Sequence, residues 1–183
     1  QAGDSRTRPS VRKNEQAAGA RVGTVMRIVL VGGGGHASDV LGVVEDINAA
    51  GGIDGAPIGV AGILSDTDIE PSRFTGRAID HIGDLASIGS VDATHYVLAV
   101  GWPKTRRLLQ DKIGPTALEA ATLVHPTATL GAGVTVAAGV VVMAGVHLSP
   151  MSSVGAHACL SNHAVVGHDA VIGDYAGLMP AAV

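Results

Sequence analysis

The chain has 183 residues, 46% of them hydrophobic, 15% charged and 2% aromatic, with a net charge of −4. Phe74, Tyr96, Trp102 and Tyr175 are the whole aromatic complement, so the interior must be built from Val, Ile, Leu and Ala. The negative balance excludes nucleic-acid binding driven by phosphate neutralisation. A single cysteine, Cys159, excludes an internal disulfide framework and a multi-cysteine zinc site.

Residues 1–25 carry five basic side chains against two acidic ones, whereas the rest carries seven against fourteen. The segment has little apolar periodicity and lacks the apolar run of a secretory signal. It reads as a disordered leader, or as translated sequence upstream of Met26, the first methionine. Residues 26–31 then read as a buried strand that runs into Gly32-Gly33-Gly34-Gly35-His36-Ala37. A helix over 38–50 follows, with Val40, Leu41, Val43, Val44 and Ile47 on its apolar stripe. Strand, glycine turn and helix open a βαβ unit, and Gly32-x-Gly34-x-x-Ala37 fits the phosphate-cradling G-x-G-x-x-A pattern.

A second strand over 57–64 leads to Asp66, where such folds hold a ribose hydroxyl. A third over 95–100 leads to Pro103, a good first residue for a helix. Arg106 and Arg107 follow in that helix's first turn, where the dipole disfavours cations. Their placement points to an anionic partner. Gly33, Gly34, His36, Asp66 and Arg106 are the candidate ligand residues of this half.

From 120 to 168 there is no Asp, Glu, Lys or Arg. Prolines, histidines and glycines break that stretch, so it is no membrane span. Its period is six. Val124, Leu130, Val136, Val142, Leu148, Val154, Leu160, Val166, Ile172 and Leu178 are aliphatic at every sixth position. Four residues after each stands a small or β-branched residue, from Ala128 to Ala182. This is a hexapeptide repeat, whose physical form is a parallel β-helix with three faces per coil of 18 residues. No coil buries its own face, so stability comes from stacking. The pattern reaches Val183 without a polar cap, and further coils are expected beyond it.

The order V-G-G-G-G-H, a strand ending near S-D, G-x-x-x-x-R-R, V-H-P-T-A and then hexapeptides resembles a known family over residues 26–183. It is that of the sugar O- and N-acyltransferases related to bacterial sialic acid O-acetyltransferases and to acetyltransferases of UDP-linked 4-amino sugars. The resemblance implies a Rossmann-like α/β domain over 26–121 that binds a nucleotide sugar, here a UDP-sugar. It implies a left-handed β-helix acyltransferase domain, incomplete, over 122–183. It also implies acetyl-CoA as donor, no metal, a cytoplasmic homotrimer and a role in cell-surface polysaccharide biosynthesis. Residues 162–175 resemble the family's active-site coil, and the histidine of its H-D pair, the proposed base, is His168. Gly167 stands where many N-acetylating members carry Glu, Ser161 where many carry Asn, and Gly177 where some carry a second histidine.

A histidine near neutral pKa suits proton removal from an amine or hydroxyl that attacks a thioester. A carboxylate can orient such an imidazole. Asp169 is the candidate, but neighbours along a strand face opposite ways, so it is expected to serve a neighbouring subunit or shape the corner. Asp174 is the weaker alternative, and Cys159 reads as a filler beside Leu160. Two other functions stay open: a β-helix carbonic anhydrase of the gamma type, with His163 and His168 among its ligands, and a non-catalytic solenoid that binds sugar nucleotides.

Overall fold

The computed structural model describes residues 26–183, so the leader assigned to 1–25 lies outside them. The first half holds β1 (Arg27–Val31), α1 (Gly35–Ala49), β2 (Gly59–Leu64), β3 (His81–Gly83), β4 (His95–Leu98), α2 (Pro103–Ile113) and β5 (Glu119–Ala120). The five strands form one parallel sheet in the order β3-β2-β1-β4-β5. Both faces of β1 are covered from Ile28 to Val31, which is why those four residues are all aliphatic. Ile28 and Leu30 pack on the side of α1 with Val40, Val44 and Ile47. Val29 and Val31 pack on the other side with Leu85, Leu98 and Ile113. Sequence periodicity does not announce β3 and β5, because three and two residues are too few to show one.

The second half is ten strands of two residues each: β6 (Leu123–Val124), β7 (Thr129–Leu130), β8 (Thr135–Val136), β9 (Val141–Val142), β10 (His147–Leu148), β11 (Ser153–Val154), β12 (Cys159–Leu160), β13 (Val165–Val166), β14 (Val171–Ile172) and β15 (Gly177–Leu178). They stack into three parallel sheets, β7-β10-β13, β8-β11-β14 and β6-β9-β12-β15. Thr129 pairs with His147 and His147 with Val165, so one coil is 18 residues. Val142, Leu148, Val154, Leu160 and Val166 fill the prism together with Val140, Val146, Ala158 and Ala164. Leu130 is 40% exposed, because β7 starts its sheet and has no strand beneath it.

Each edge of the prism needs one residue in the left-handed region. Gly133, Gly139 and Gly145 supply it first, and then Met151, His157, His163, Asp169, Tyr175 and Ala181, six apart, with φ between 54° and 62° after the last glycine. Such a conformation costs a non-glycine residue about 1–2 kcal/mol, and the stacked coils hold it in place. Glycine is required where the next coil's side chain lies over the corner. A Cβ on Gly139 would run into the His157 ring, and one on Gly145 into the ring of His163.

The two halves share one core. The outward row of the third face, Leu123, Val141 and Cys159, is buried against α1 through Val43, Val44 and Ile47. The outward rows of the other faces, Thr129, His147, Val165 and Thr135, Ser153, Val171, carry no such cover, and Val171 is 79% exposed. His125 in the first coil bonds Asp46 of α1, Nε2 to Oδ2 at 2.9 Å. Its Nδ1 accepts from the Thr127 N–H, which leaves the proton on Nε2 to donate. Among the described residues no helix is long and apolar enough to cross a membrane.

Gly139→Ala forces a left-handed alanine into the His157 ring. It should lower stability by about 2 kcal/mol or more, read as a fall in Tm. Gly167→Ala, with open space around it, should leave Tm nearly unchanged.

Candidate functional site

The strand order reverses between β1 and β4. Chain segments leave there in opposite directions, which opens a crevice at the carboxyl ends of the strands. The crevice is a cavity of about 570 Å³. The glycine turn after β1 forms its middle, Asp66 after β2 one end, and Gly101 and Trp102 after β4 the other. Gly33 lies so close to Ile69 that no side chain fits, whereas Gly34 faces open space. Gly34 is the extended N-cap of α1, with no side-chain cap and no acidic residue in the first turn. The Ala37 N–H is taken by the Gly34 carbonyl at 3.0 Å, which leaves the Gly35 and His36 N–H groups to face an anion.

Gly33, Gly34, His36 and Asp66 all line this cleft. Asp66 Oδ1 accepts the Leu85 N–H at 2.9 Å, and Oδ2 lies 3.3 Å from Lys112 Nζ. The Leu85 N–H, then Lys112, hold its carboxyl below the usual range. Burial lowers the His36 pKa against the pull of Asp39, and burial pushes the Cys159 thiol up to about 11. The protonated thiol thus donates to a neutral imidazole, Sγ to Nε2 at 3.4 Å. Trp102 and Lys112 line the cleft too and escaped the sequence reading. Lys112 was legible in principle, since Thr105, Leu108, Leu109 and Lys112 recur at one-face helical spacing.

Arg106 is the correction. Expected in the cleft, it is 1% exposed and points the other way. Its Nη1 donates to the carbonyls of Val100 (2.9 Å) and Gly101 (2.6 Å) at the end of β4. Its Nε donates to His157 O (3.0 Å), and Nη2 to Tyr175 O (2.7 Å) and Ala176 O (2.9 Å) on one edge of the prism. The first-turn arginine is thus explained by carbonyls ahead of the helix, not by a ligand. Beside it the ring of His157 stacks between Tyr96 (6.2 Å) and Tyr175 (5.3 Å). Burial lowers the His157 pKa, with Asp174 opposing and Arg106 assisting, and its Nδ1 has no partner among the described residues.

His168 and Asp169 occupy a different edge. Both sit in the turn between β13 and β14, not on a strand, and Asp169 has φ +58°. The alternation argument therefore fails, and the pair bonds within one chain, Nδ1 to Oδ2 at 2.6 Å. Their side chains are 82% and 71% exposed. The flanking strands belong to the two faces that α1 does not cover. This edge is the apex opposite the sheet, and neither residue lines the cleft of its own chain. His163 lies on a third edge, in a separate cavity with Asp39, Arg77 and His125. Asp174 bonds the Ala156 N–H and shapes its corner. Among the described residues no group of three His, Cys, Asp or Glu is placed to hold a metal ion.

The chain is similar to a histidine-to-alanine variant of GDP-perosamine N-acetyltransferase from Caulobacter crescentus, solved with CoA and GDP-perosamine. The TM-score is 0.68 at 27% identity, over 90% of this chain and 72% of that one. A histidine-to-asparagine variant of perosamine N-acetyltransferase from the same organism, also with CoA and GDP-perosamine, gives 0.67 at 27%, over 89% and 71%. The acetyltransferase domain of PglB from Neisseria gonorrhoeae, in complex with acetyl coenzyme A, shares the fold, with a TM-score of 0.53 at 20% identity over 86% of this chain and 92% of that one. No family model matches the chain, and no curated protein matches it in sequence. The parallel coils fit a left-handed β-helix, and the neighbours support a sugar acetyltransferase.

Arg106→Ala strands buried carbonyls on both halves and should cost about 3 kcal/mol or more. Arg106→Lys should rescue little, since one ammonium cannot serve five carbonyl contacts. Thermal denaturation checks both. His36 and His157 are held neutral, so the unfolded chain binds more protons as pH falls below about 6.5. Tm should drop from pH 7.5 to 5.5, and His157→Asn, which tolerates the left-handed corner, should flatten that slope.

Proposed function

We propose that the protein transfers an acetyl group from acetyl-CoA to an amino or hydroxyl group of a nucleotide-linked sugar. The observation that carries this reading is the 2.6 Å bond between His168 Nδ1 and Asp169 Oδ2. It fixes the proton on Nδ1 and leaves Nε2 as a free acceptor on the surface. The acceptor N–H or O–H gives its proton to Nε2 as the nitrogen or oxygen attacks the thioester carbonyl. The tetrahedral intermediate then collapses, the C–S bond breaks, and the leaving sulfur takes the proton from the imidazolium. Asp169 holds the ring and balances the transient imidazolium charge. The neighbours with CoA and GDP-perosamine support this reading and favour an amine as acceptor.

The α/β half is read as a Rossmann-like domain over 26–121. It takes the pyrophosphate at the glycine turn with Gly33 and Gly34, and a ribose hydroxyl at Asp66. The β-helix over 122–183 supplies the base. Since His168 and the cleft lie on opposite sides of one chain, a second copy must complete the site. A homotrimer with parallel prisms does this and covers Val165 and Val171. A cytoplasmic place, where both substrates are made, belongs to the same reading. The carbonic anhydrase alternative is not favoured, since the neighbours are sugar-nucleotide N-acetyltransferases solved with CoA.

His168→Ala should cut turnover by about 10²-fold or more and leave nucleotide-sugar binding intact by calorimetry. His163→Ala should cost less. Asp66→Ala should weaken nucleotide-sugar binding. In mixed oligomers His168→Ala and Asp66→Ala should restore each other's activity in part, because each damages a different half-site. Wild-type turnover in both histidine variants would remove His168 as the base.

A further inference from the structure

The cleft has two unlike ends, and α2 sets their separation. Trp102 is the N-cap of α2 and Lys112 lies in its last turn, so the helix spaces them by about 15 Å. At one end Asp66 and Lys112 offer a charged pair at 3.3 Å. At the other, Trp102 stands with His36, Gly101 and Thr105. The glycine turn follows β1, which lies between β2 and β4 in the sheet, so an anchored pyrophosphate sits between the two ends. Trp102 is 78% exposed and is the chain's single tryptophan. Among the described residues no packing accounts for so large an apolar surface at a cavity rim.

The prism distinguishes the ends. His36 lies 3.4 Å from Cys159 of β12. A side chain on Gly177 of β15 would begin 3.5 Å from Pro103. The Trp102 end is therefore the one that abuts the β-helix, and in the parallel trimer proposed above the second copy's base reaches the cleft beside that helix, so the group that receives the acetyl points to this end. We infer that Trp102 is a stacking platform for the sugar ring, with the nucleoside directed to the Asp66–Lys112 end. The apolar C–H face of a pyranose packs on the indole, as apolar groups do on aromatic faces, and holds the reacting group outward. This rests on the reading of the cleft as a nucleotide-sugar site. It makes Trp102 a specificity-determining residue for the sugar rather than for the base.

The test pairs calorimetry with the emission of the single tryptophan, using UDP-glucose against UDP and GDP-mannose against GDP. The expected result is that one pair binds, that its sugar-bearing member shifts or quenches the emission, and that the bare diphosphate does not. Trp102→Ala should weaken the sugar-bearing ligand about tenfold and leave the diphosphate unchanged, while Trp102→Phe keeps most of the affinity. An equal emission change and an equal loss for both members would place the nucleobase on Trp102. That outcome, or binding with no emission change, overturns the inference while the cleft stands. No heat from any of the four with the wild-type protein would overturn the nucleotide-sugar reading, and the inference with it.

Discussion

One buried guanidinium joins the two architectures of this chain. Among the described residues no carboxylate lies against Arg106; its five bonds all go to main-chain carbonyls. Two of those carbonyls belong to the half that carries the arginine and three to the prism, where the Ala176 carbonyl also accepts from the Cys159 N–H. Val100 and Gly101 lie past the last residue of β4, and His157, Tyr175 and Ala176 lie in or beside the prism's turns. Burial pulls the Arg106 pKa down, yet a guanidinium keeps its charge at any pH a protein survives. The desolvation cost is offset by carbonyl dipoles converging on one plane. Because those carbonyls include the ends of both the cleft and the third face, the staple fixes where the cleft opens relative to the coils.

The same junction explains the burial of His36, Cys159 and His157. The contact between sheet and prism buries Cys159 and His157 and half-buries His36, which also lines the cleft. Their pKa shifts all favour the uncharged form, as burial requires. His168 and Asp169 are the opposite case, a paired imidazole and carboxylate left in solvent on the far edge. Chemistry that needs a low-dielectric surround must find it against another surface, which is why the exposed faces beside β13 and β14 matter as much as the pair itself.

The prism was legible in the sequence because its constraint is periodic. A residue every six must enter the core, and the pattern from Val124 to Leu178 records it. The opening of the sheet was legible through Gly33, Gly34 and the aliphatic run before them, and Asp66 through its place after β2. Arg106 was misread because local helix electrostatics were weighed without the carbonyls of Tyr175 and Ala176, some seventy residues away. Asp169 was misassigned because strand alternation was applied to a turn, whose left-handed residue swings the carboxylate back onto its neighbour. Trp102 carries no pattern at all. Its meaning comes from the cavity that the return of α2 builds around it.

The register of the coils has a consequence for insertions and deletions. Strands stack on partners 18 residues away, and one hexapeptide turns the chain by one face. Losing a single hexapeptide between Val124 and Val166 would leave the core pattern in phase, and the prism would still close. It would nevertheless rotate every later corner by a third of a turn relative to α1, carrying His168 from the apex to an edge that flanks the sheet. Only changes of a whole coil preserve its bearing. Fold and chemistry therefore tolerate different length changes in this chain: six residues for the first, eighteen for the second.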